Sequence, residues 1–290
     1  MIAVTVQREL DPAIERPEPN APDEIFSVSP SPSMSRLRFT LRDRSHMTPT
    51  MHSLSGGSHG TTPDEREQTE LLLQLSRVAS SLHPELMIGC RALRPGDEFA
   101  LLPVEATHLA NAVATVRRAS GSARIVARAL LRSLGCLEPL LPRTTGGAPR
   151  WPDGFVGSLA HDSDFAVAAV ARASRMTSVG IDIEPALPAP AELMDPVATP
   201  AERRRLRGDL LSLRLLFCVK EAVYKATNPR DGIFLEHHDV EVDFDTLTAR
   251  TKSGLVLSVR TMRQPRLVAL ALSCEAARGP SDTGRVPREI

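Results

Sequence analysis

Two short segments place acids and lysines at spacings that suit chemistry on phosphate groups. The first is Val179-Gly180-Ile181-Asp182-Ile183-Glu184-Pro185, and the second is Phe217-Cys218-Val219-Lys220-Glu221-Ala222-Val223-Tyr224-Lys225. Together they supply three carboxylates and two lysines. Oxygen ligands of this kind favour Mg²⁺, which binds through a few carboxylates together with substrate phosphates. The combination predicts a magnesium-dependent reaction on a pyrophosphate.

The first segment is typical of a β-strand that presents two acids on one face. Side chains alternate along a strand, so Asp182 and Glu184 share one face. Gly180 lies on the same face and is expected to leave room beside the acids. Like charges this close repel, which favours a cation near them. Taken alone, the pair also fits an exposed strand edge with two solvated acids.

The second segment is typical of a helix. Glu221 and Lys225 are four residues apart and share a face. A surface ion pair of this spacing contributes only a few tenths of a kcal/mol and needs no function. However, the apolar neighbours Val219 and Val223 predict a largely buried helix, where paired ionisable groups favour a functional site. Glu221 is then the third acid of the metal site, and Lys225 neutralises phosphate oxygens.

The elements that must position these residues follow an α+β pattern. The sequence predicts helices from Glu70 and over residues 104–119, 122–135, 200–206 and 212–226, strands over 157–161, 165–171, 178–184, 240–244, 247–252, 255–262 and 267–273, and a turn at 228–232. Residues 1–68 are rich in Pro, Ser and charged residues, and we expect them to be disordered. The folded part is expected to begin near Thr69, with a flexible tail at 279–290.

The net charge, the cysteine spacing and the hydropathy of the chain limit the classes of function that are expected. The formal net charge of the 290 residues is zero, which gives no broad electrostatic grip on nucleic acid or an anionic membrane. The four cysteines are far apart, so we expect free thiols rather than a zinc site or a disulfide framework. No apolar run is long enough to span a bilayer, and the N-terminus has no secretory pattern. A cytoplasmic location is expected.

With these residues assembled, the chain resembles the 4′-phosphopantetheinyl transferases of the surfactin-synthetase-activating type, most closely the branch with enterobactin synthase component D. The shared motifs are Gly180-Ile181-Asp182-Ile183-Glu184, the helix from Phe217 to Lys225, Gly147-Ala148-Pro149-Arg150-Trp151-Pro152 and Gly157-Ser158-Leu159-Ala160-His161. An arginine-rich helix pair, Arg117-Arg118 and Ala123-Arg124, also matches. The likeness covers about residues 70–275.

The resemblance implies a fold, a reaction and roles for residues. The fold is α+β, with two similar halves, about 69–172 and 173–278, related by a pseudo-twofold with the active site between them. The reaction moves 4′-phosphopantetheine from coenzyme A to a serine of an apo acyl or peptidyl carrier protein and releases 3′,5′-ADP. A monomer is expected. The carrier belongs to a siderophore, other nonribosomal peptide or polyketide pathway, or to fatty acid synthesis.

The implied site residues fall into three groups. Asp182, Glu184 and Glu221 hold Mg²⁺ with the pyrophosphate, and Glu221 or Glu184 accepts the serine proton. Lys225 and Lys220 contact phosphates. The remaining residues bind the 3′-phosphate and border the adenine, and they are His161, Arg117, Arg118, Arg124, Gly147, Ala148 and Pro149. Without the resemblance, a lone histidine such as His161 is more often structural than functional.

Three departures from the family pattern keep an alternative open. Ala160 replaces a hydroxyl residue, Ala123 replaces a glycine, and Ala148 stands where some relatives have lysine. Each change is expected to lower the affinity for coenzyme A, and none of them alters the acids expected to bind the metal. The alternative is a catalytically weakened module that binds coenzyme A or a carrier protein. A magnesium-dependent phosphohydrolase is a third hypothesis, supported by the acids alone.

Overall fold

A computed structural model describes residues 4–5, 40–41, 63–82 and 86–273. The chain divides into two units, Met1–Ser58 and His59–Ile290. In the first unit, β1 (Val4–Thr5) pairs antiparallel with β2 (Thr40–Leu41). The expected disorder of residues 1–68 and the flexible tail at 279–290 otherwise fall largely outside the described residues. All further description concerns the second unit.

Within its described residues, the second unit contains helices and two antiparallel sheets. The elements are α1 (Pro63–Leu82), β3 (Met87–Ala92), α2 (Pro103–Ala106), α3 (Ala114–Ser133), β4 (Phe155–His161), β5 (Phe165–Arg172), β6 (Ser178–Pro185), α4 (Met194–Val197), α5 (Pro200–Leu206), α6 (Leu210–Asp231), β7 (Val240–Asp243), β8 (Thr248–Thr251), β9 (Val256–Met262) and β10 (Arg266–Ser273). Four short 3₁₀ turns separate some of them, at Asp97–Ala100, Thr107–Leu109, Ala191–Leu193 and His237–Asp239. The expected α+β class is confirmed.

The two sheets have related connectivity. One has the strand order β3-β5-β4, and the other has the order β6-β10-β9-β8-β7. In each half, a first strand (β3 or β6) is followed by a long helix (α3 or α6), and the last strand of the half (β5 or β10) returns to pair with the first. This repeated topology gives the fold two similar halves.

The alternation of side chains on β5 and β6 builds two distinct core layers. Val167 and Ala169 of β5 join Ile181 and Ile183 of β6 in one apolar cluster between the sheets. Ala168 faces the other way, into a second cluster with α3. Burial of apolar surface on both faces explains why β5 is apolar along nearly its whole length. The opposite face of β6 is thereby left to α6, which packs against it.

The helix in the first half differs from the prediction. The sequence predicted helices over 104–119 and 122–135, but α3 runs without a break through Ser120-Gly121-Ser122. Gly121 is needed for packing rather than for a turn, because a Cβ there would collide with the backbone carbonyl of Asp97. The helical break lies earlier, between α2 and the start of α3 at Ala114.

Other element boundaries also shift. The predicted turn at 228–232 is wrong for its first part, because α6 continues to Asp231 and ends at Gly232, whose φ of 66° provides a left-handed C-cap. Strand β3 was missed because its short sequence, with Gly89 and Arg91, lacks a clear alternation. Helix α1 begins at Pro63, ahead of the expected start near Thr69. The predicted strands of the last third correspond to β7–β10.

Candidate functional site

The acids lie where β6 packs against α6. Gly180 makes this contact possible, because a Cβ there would overlap the Ala222 carbonyl oxygen and lie 2.8 Å from the Ala226 nitrogen. The expectation that Gly180 leaves open room beside the acids is therefore wrong: the helix backbone fills that room. The close approach brings the Asp182 and Glu184 face of β6 against the Glu221 and Lys225 face of α6.

Asp182 is the centre of the site. Its Oδ1 accepts a 2.5 Å hydrogen bond from Nζ of Lys225. Burial and the negative charge of Glu221 together raise the pKa of Asp182 to about 6, against the opposing effect of Lys225. The pKa of Lys225 rises, because the charges of Asp182 and Glu221 outweigh its burial. The structure thus brings Asp182 together with Glu221 and Lys225 of α6, as the sequence predicted.

Glu184 has a different cation. Its Oε2 accepts a 2.7 Å bond from Nη1 of Arg214, which also donates from Nε to the Leu187 carbonyl at 2.8 Å. Burial and the negative charge of Asp182 together raise the pKa of Glu184 to about 7, against the opposing effect of Arg214. Asp182 and Glu184 are thus each paired with one cation, Lys225 and Arg214 respectively.

Glu221 is held by a histidine. Nε2 of His237 lies 3.0 Å from Oε1 of Glu221. Burial alone would raise the pKa of Glu221, but the hydrogen bond from His237 and the charge of Lys225 lower it overall. Glu221 is consequently ionised at neutral pH, and Lys225 links it electrostatically to Asp182.

The three acids suit a hard cation by their chemistry. Glu184 and Glu221 each have one carboxylate oxygen without a hydrogen bond to any described residue. Burial raises the pKa values of Asp182 and Glu184, so a nearby cation would stabilise their ionised forms. In their present positions, however, no three His, Cys, Asp or Glu residues in the described part of the chain form a group that could hold a metal. Asp182 is instead paired with Lys225 and Glu184 with Arg214, and Glu221 is hydrogen-bonded to His237.

Lys220 does not join this site. Its Nζ donates to Glu202 Oε2 at 2.6 Å and to the carbonyls of Val197 and His237, both at 2.9 Å, and the residue is only 1% exposed. An ammonium group has three donors, and all three are used. The expected phosphate contact of Lys220 is therefore not supported. Helix geometry gives the reason, since residues five apart, like Lys220 and Lys225, point about 140° apart.

His161, at the end of β4, interacts electrostatically with two cations, Lys225 and Arg143. Its Nδ1 lies 3.3 Å from the carbonyl oxygen of Asp162. The surrounding protein lowers the pKa of His161, and the charges of Lys225 and Arg143 lower it further. His161 thus lies within electrostatic reach of the acid site and of the loop after α3. An imidazole among cations is suited to accept an anion.

The three candidate arginines of α3 have different surroundings. Arg124 is buried, and it donates from Nε to the Leu141 carbonyl at 3.0 Å and from Nη1 to Ser120 Oγ at 2.6 Å. Arg118 is held at the surface by Glu98 at 3.2 Å. Arg117 is half-buried, and its side chain has no hydrogen bond or ion pair within the described ranges. Only Arg117 and Arg118 are therefore accessible enough to meet a ligand without rearrangement of the core.

The loop of Gly147-Ala148-Pro149 forms a tight hairpin. Gly147 has a φ of 84°, and its N–H donates to the Thr144 carbonyl at 2.9 Å. Arg143 and Pro149 pair as an isolated bridge, and Arg143 Nη1 lies 3.4 Å from the Gly147 carbonyl. The hairpin therefore presents Arg143 together with the expected adenine-bordering backbone. Ala148 is partly buried within it.

Ala160 is buried at 5% exposure in the cluster between the sheets. In this structure its side chain packs with apolar residues such as Phe165. The replacement of a hydroxyl residue at this position is therefore compatible with the core.

Three further residues interact with expected site residues and were not predicted from the sequence. Arg214 contacts Glu184 and His237 contacts Glu221, whereas Arg143 interacts electrostatically with His161. Arg214 could have been found, because it lies on the predicted helix one turn from Phe217 and Cys218. His237 and Arg143 lie outside regular helices and strands, where sequence periodicity carries no information on orientation.

The raised pKa of Glu184 predicts a pH-dependent difference in stability. A carboxyl whose pKa rises from 4.5 to about 7 on folding binds more protons in the folded state between these values, so it costs stability as pH rises. The variant E184Q lacks this titration. Relative to the native chain, we expect E184Q to gain about 2–3 kcal/mol of unfolding free energy between pH 4.5 and 7.5. Urea unfolding in the presence of a chelator measures it.

The control for this experiment is D209N. Asp209 caps α6 through Ser212, and these hydrogen bonds lower its pKa, so its titration is complete below pH 4.5. The stability difference between D209N and the native chain should therefore stay constant from pH 4.5 to 7.5. An equally constant difference for E184Q would contradict the assigned environment of Glu184.

Three findings on the described residues bear on the expected location and cysteine chemistry. No helix among them is both long enough and apolar enough to cross a membrane. Cys90, Cys136 and Cys218 are free thiols, as predicted. Cys218 lies beneath the acid site, where burial and the charge of Asp182 raise its pKa well above the usual value. Cys274 lies outside the described residues.

Comparison with known families matches both halves of the fold. Residues 104–171 match the 4′-phosphopantetheinyl transferase N-terminal domain, and residues 178–269 match the 4′-phosphopantetheinyl transferase superfamily. The first match spans α2, α3, β4 and most of β5. The second spans β6 to the first half of β10 and includes Asp182, Glu184, Glu221 and Lys225.

Individual relatives agree. The chain is 44% identical over 168 residues to the 4′-phosphopantetheinyl transferase Svp of Streptomyces mobaraensis, covering 54% of this chain and 68% of the relative. It is 36% identical over 186 residues to PptT of Mycobacterium tuberculosis, covering 61% and 82%. Enterobactin synthase component D of Salmonella typhimurium is 38% identical over 88 residues, covering 28% and 36%. The chain therefore belongs to the 4′-phosphopantetheinyl transferase family, and it is an enzyme of that class.

Proposed function

We propose that this transferase moves the 4′-phosphopantetheine group of coenzyme A to a serine of an apo acyl or peptidyl carrier protein in a Mg²⁺-dependent reaction. The carrier is proposed to serve siderophore, other nonribosomal peptide or polyketide synthesis. The observation that supports the proposal is the meeting of Asp182, Glu184 and Glu221 with Lys225 where β6 packs on α6. Phosphoryl transfer depends mainly on such positioning and charge stabilisation.

The three acids are the proposed metal ligands. When bound, Mg²⁺ would neutralise charge that develops on the pyrophosphate. Lys225 is available to turn from Asp182 to a phosphate oxygen, since its side chain is 28% exposed. Arg214 keeps its bonds to Glu184 and to the 187–188 backbone, which anchor that acid. The pairing of Asp182 with Lys225 and of Glu184 with Arg214 explains how these two acids stay together before a metal binds.

The proposed reaction is a displacement at the pantetheine-side phosphorus. The serine Oγ of the carrier forms the new bond to phosphorus, and the bond to the bridging oxygen breaks, so 3′,5′-ADP leaves. Glu184 or Glu221 is the proposed acceptor for the serine proton. Glu184 has a pKa of about 7, which suits a base near neutral pH, whereas Glu221 is held ionised by His237.

The 3′-phosphate is proposed to bind near His161. Arg143 lies within electrostatic reach of that ring, and it is presented by the same hairpin as Gly147 and Pro149. Arg117 and Arg118 at the start of α3 are further candidates. Arg124 is proposed to stabilise the loop that carries Arg143, because its Nε donates a hydrogen bond to the Leu141 carbonyl oxygen at the start of that loop.

The proposal also covers the cellular location, the oligomeric state and the cleft that binds the substrates. We propose that the enzyme acts as a cytoplasmic monomer. We also propose that the two halves, 69–172 and 173–278, form the cleft together. Light scattering of the purified chain would test whether it is a monomer in solution.

Incubation with an apo carrier protein, coenzyme A and Mg²⁺ tests the proposed reaction. We expect intact-mass spectrometry to show that the carrier gains one phosphopantetheine arm, with 3′,5′-ADP as the other product. The gain should disappear with a chelator and return when Mg²⁺ is restored. A carrier with its acceptor serine replaced by alanine is the control and should gain nothing.

The same assay separates the alternatives. A folded enzyme that transfers nothing to any of several carriers would overturn the proposed function. Calorimetric binding of coenzyme A without turnover would then favour a binding module, whereas phosphate release without an acceptor protein would favour a phosphohydrolase.

A further inference from the structure

One residue outside the sequence motifs is contacted by three residues of α6. Phe217, Lys220 and Glu221 lie at spacings of three and four, so they share one face of the helix. All three contact His237 in the 3₁₀ turn before β7. The Phe217 and His237 ring centroids are 5.3 Å apart, Lys220 donates to the His237 carbonyl at 2.9 Å, and Glu221 Oε1 lies 3.0 Å from Nε2.

The backbone of His237 is fixed by a buried ion pair. Lys220 also bonds to Glu202 at 2.6 Å, and Glu202 in turn accepts from the backbone N–H of Val242 at 2.8 Å and of Thr199 at 2.8 Å. Both partners of the pair are at most 3% exposed. A buried pair with every donor and acceptor satisfied is rigid, so the 3₁₀ turn has one position relative to α6.

The ring of His237 is equally constrained. Its side chain is 10% exposed, and it is packed against Phe217 at an interplanar angle of 51°. Since a carboxylate can only accept, Nε2 must be the protonated nitrogen that donates to Glu221. This bond leaves Oε2 of Glu221 without a hydrogen bond to any residue in the described ranges. Glu221 therefore presents one oxygen in a fixed direction.

We infer that His237 is a positioning residue that fixes the Glu221 carboxylate through Oε1 and leaves Oε2 available to the metal. The inference deepens the proposed function and rests on it. Free glutamate side chains lose considerable rotamer entropy when they are ordered, and a tether that is already formed removes most of that loss from the binding step. Hydrogen bonds to metal-ligating carboxylates usually change metal affinity 10–100-fold when they are removed.

The test compares three variants of the full chain. H237F keeps the ring against Phe217 and the carbonyl that Lys220 uses, but it lacks the Nε2 donor. H237Q restores a side-chain N–H donor at a similar reach. H238F is the matched control, because His238 is the adjacent exposed histidine and bonds only to the Asp195 carbonyl among the described residues.

Titration calorimetry with Mg²⁺ in the presence of coenzyme A is the primary readout. We expect H237F to bind Mg²⁺ about 10–100-fold more weakly, H237Q to recover part of that loss, and H238F to match the native chain. In the carrier assay, the Mg²⁺ concentration for half-maximal rate should rise in parallel for H237F. Thermal unfolding of H237F should stay close to native.

The outcomes distinguish the inference from the proposed function. Native Mg²⁺ affinity in a folded H237F variant overturns the inference alone. Weakened binding with no recovery in a folded H237Q variant also overturns it, because the hydrogen bond would then not be the cause. If the native chain itself binds no Mg²⁺ with coenzyme A, the proposed metal role fails and the inference fails with it.

Discussion

Replacement of Asp182 by asparagine is expected to lower kcat/KM for carrier modification by about 10³-fold or more, equivalent to about 4 kcal/mol of transition-state stabilisation. The substitution keeps the shape of the side chain and removes one negative charge. Asp182 is the acid with the most connections in the site, because it bonds to Lys225 and interacts electrostatically with Glu184 and Glu221. Its loss should weaken metal binding and misplace Lys225.

The fold of D182N should survive. Lys225 keeps Glu221 as a neighbouring negative charge, and the buried carboxylate that is disfavoured at neutral pH is gone. Circular dichroism and thermal unfolding check this point. The matched control is D195N. It removes an exposed acid of α4 that is paired with Arg203 of α5, and it should leave the rate unchanged. Full activity in D182N would refute the assigned metal role.

Replacement of Gly180 by alanine is expected to cost about 3–5 kcal/mol of unfolding free energy, a size reached only by severe packing changes. The added Cβ would overlap the Ala222 carbonyl and crowd the Ala226 nitrogen. These are backbone atoms of α6, so no side-chain rotation can relieve the clash. The helix and β6 must separate, which also moves Glu221 away from Asp182.

Two other glycines give the controls for this prediction. Gly146 has only Thr144 Oγ1 near an added Cβ, at 3.8 Å, so G146A should change the unfolding free energy by less than about 0.5 kcal/mol. Gly89 lies beneath α3, and an added Cβ would meet the side chains of Val126 at 2.9 Å and Leu130 at 3.5 Å. G89A should therefore be intermediate. Urea unfolding that ranks G180A as mild as G146A would contradict the packing argument.

The sequence predicted much of the fold because local patterns determine local structure. Alternation along Val179 to Glu184 predicted β6 and its two faces, and the apolar spacing of residues 212–226 predicted most of α6. The predictions failed where tertiary packing overrides local preference. Gly121 appears as a helix breaker in the sequence, yet it lies inside α3 because only glycine allows the approach of the Asp97 backbone.

The sequence by itself determined which chemical groups the site contains and which face of each element bears them. Residue type and periodicity suffice for that, as for Asp182 and Glu184 on one face of β6. Only the tertiary structure decided the partners: Lys225 pairs with Asp182, while Lys220 turns inward to Glu202 and His237. Partners depend on contacts between residues distant in the chain. Such contacts follow from how α6 packs against β6 and the turn before β7, which no local pattern encodes.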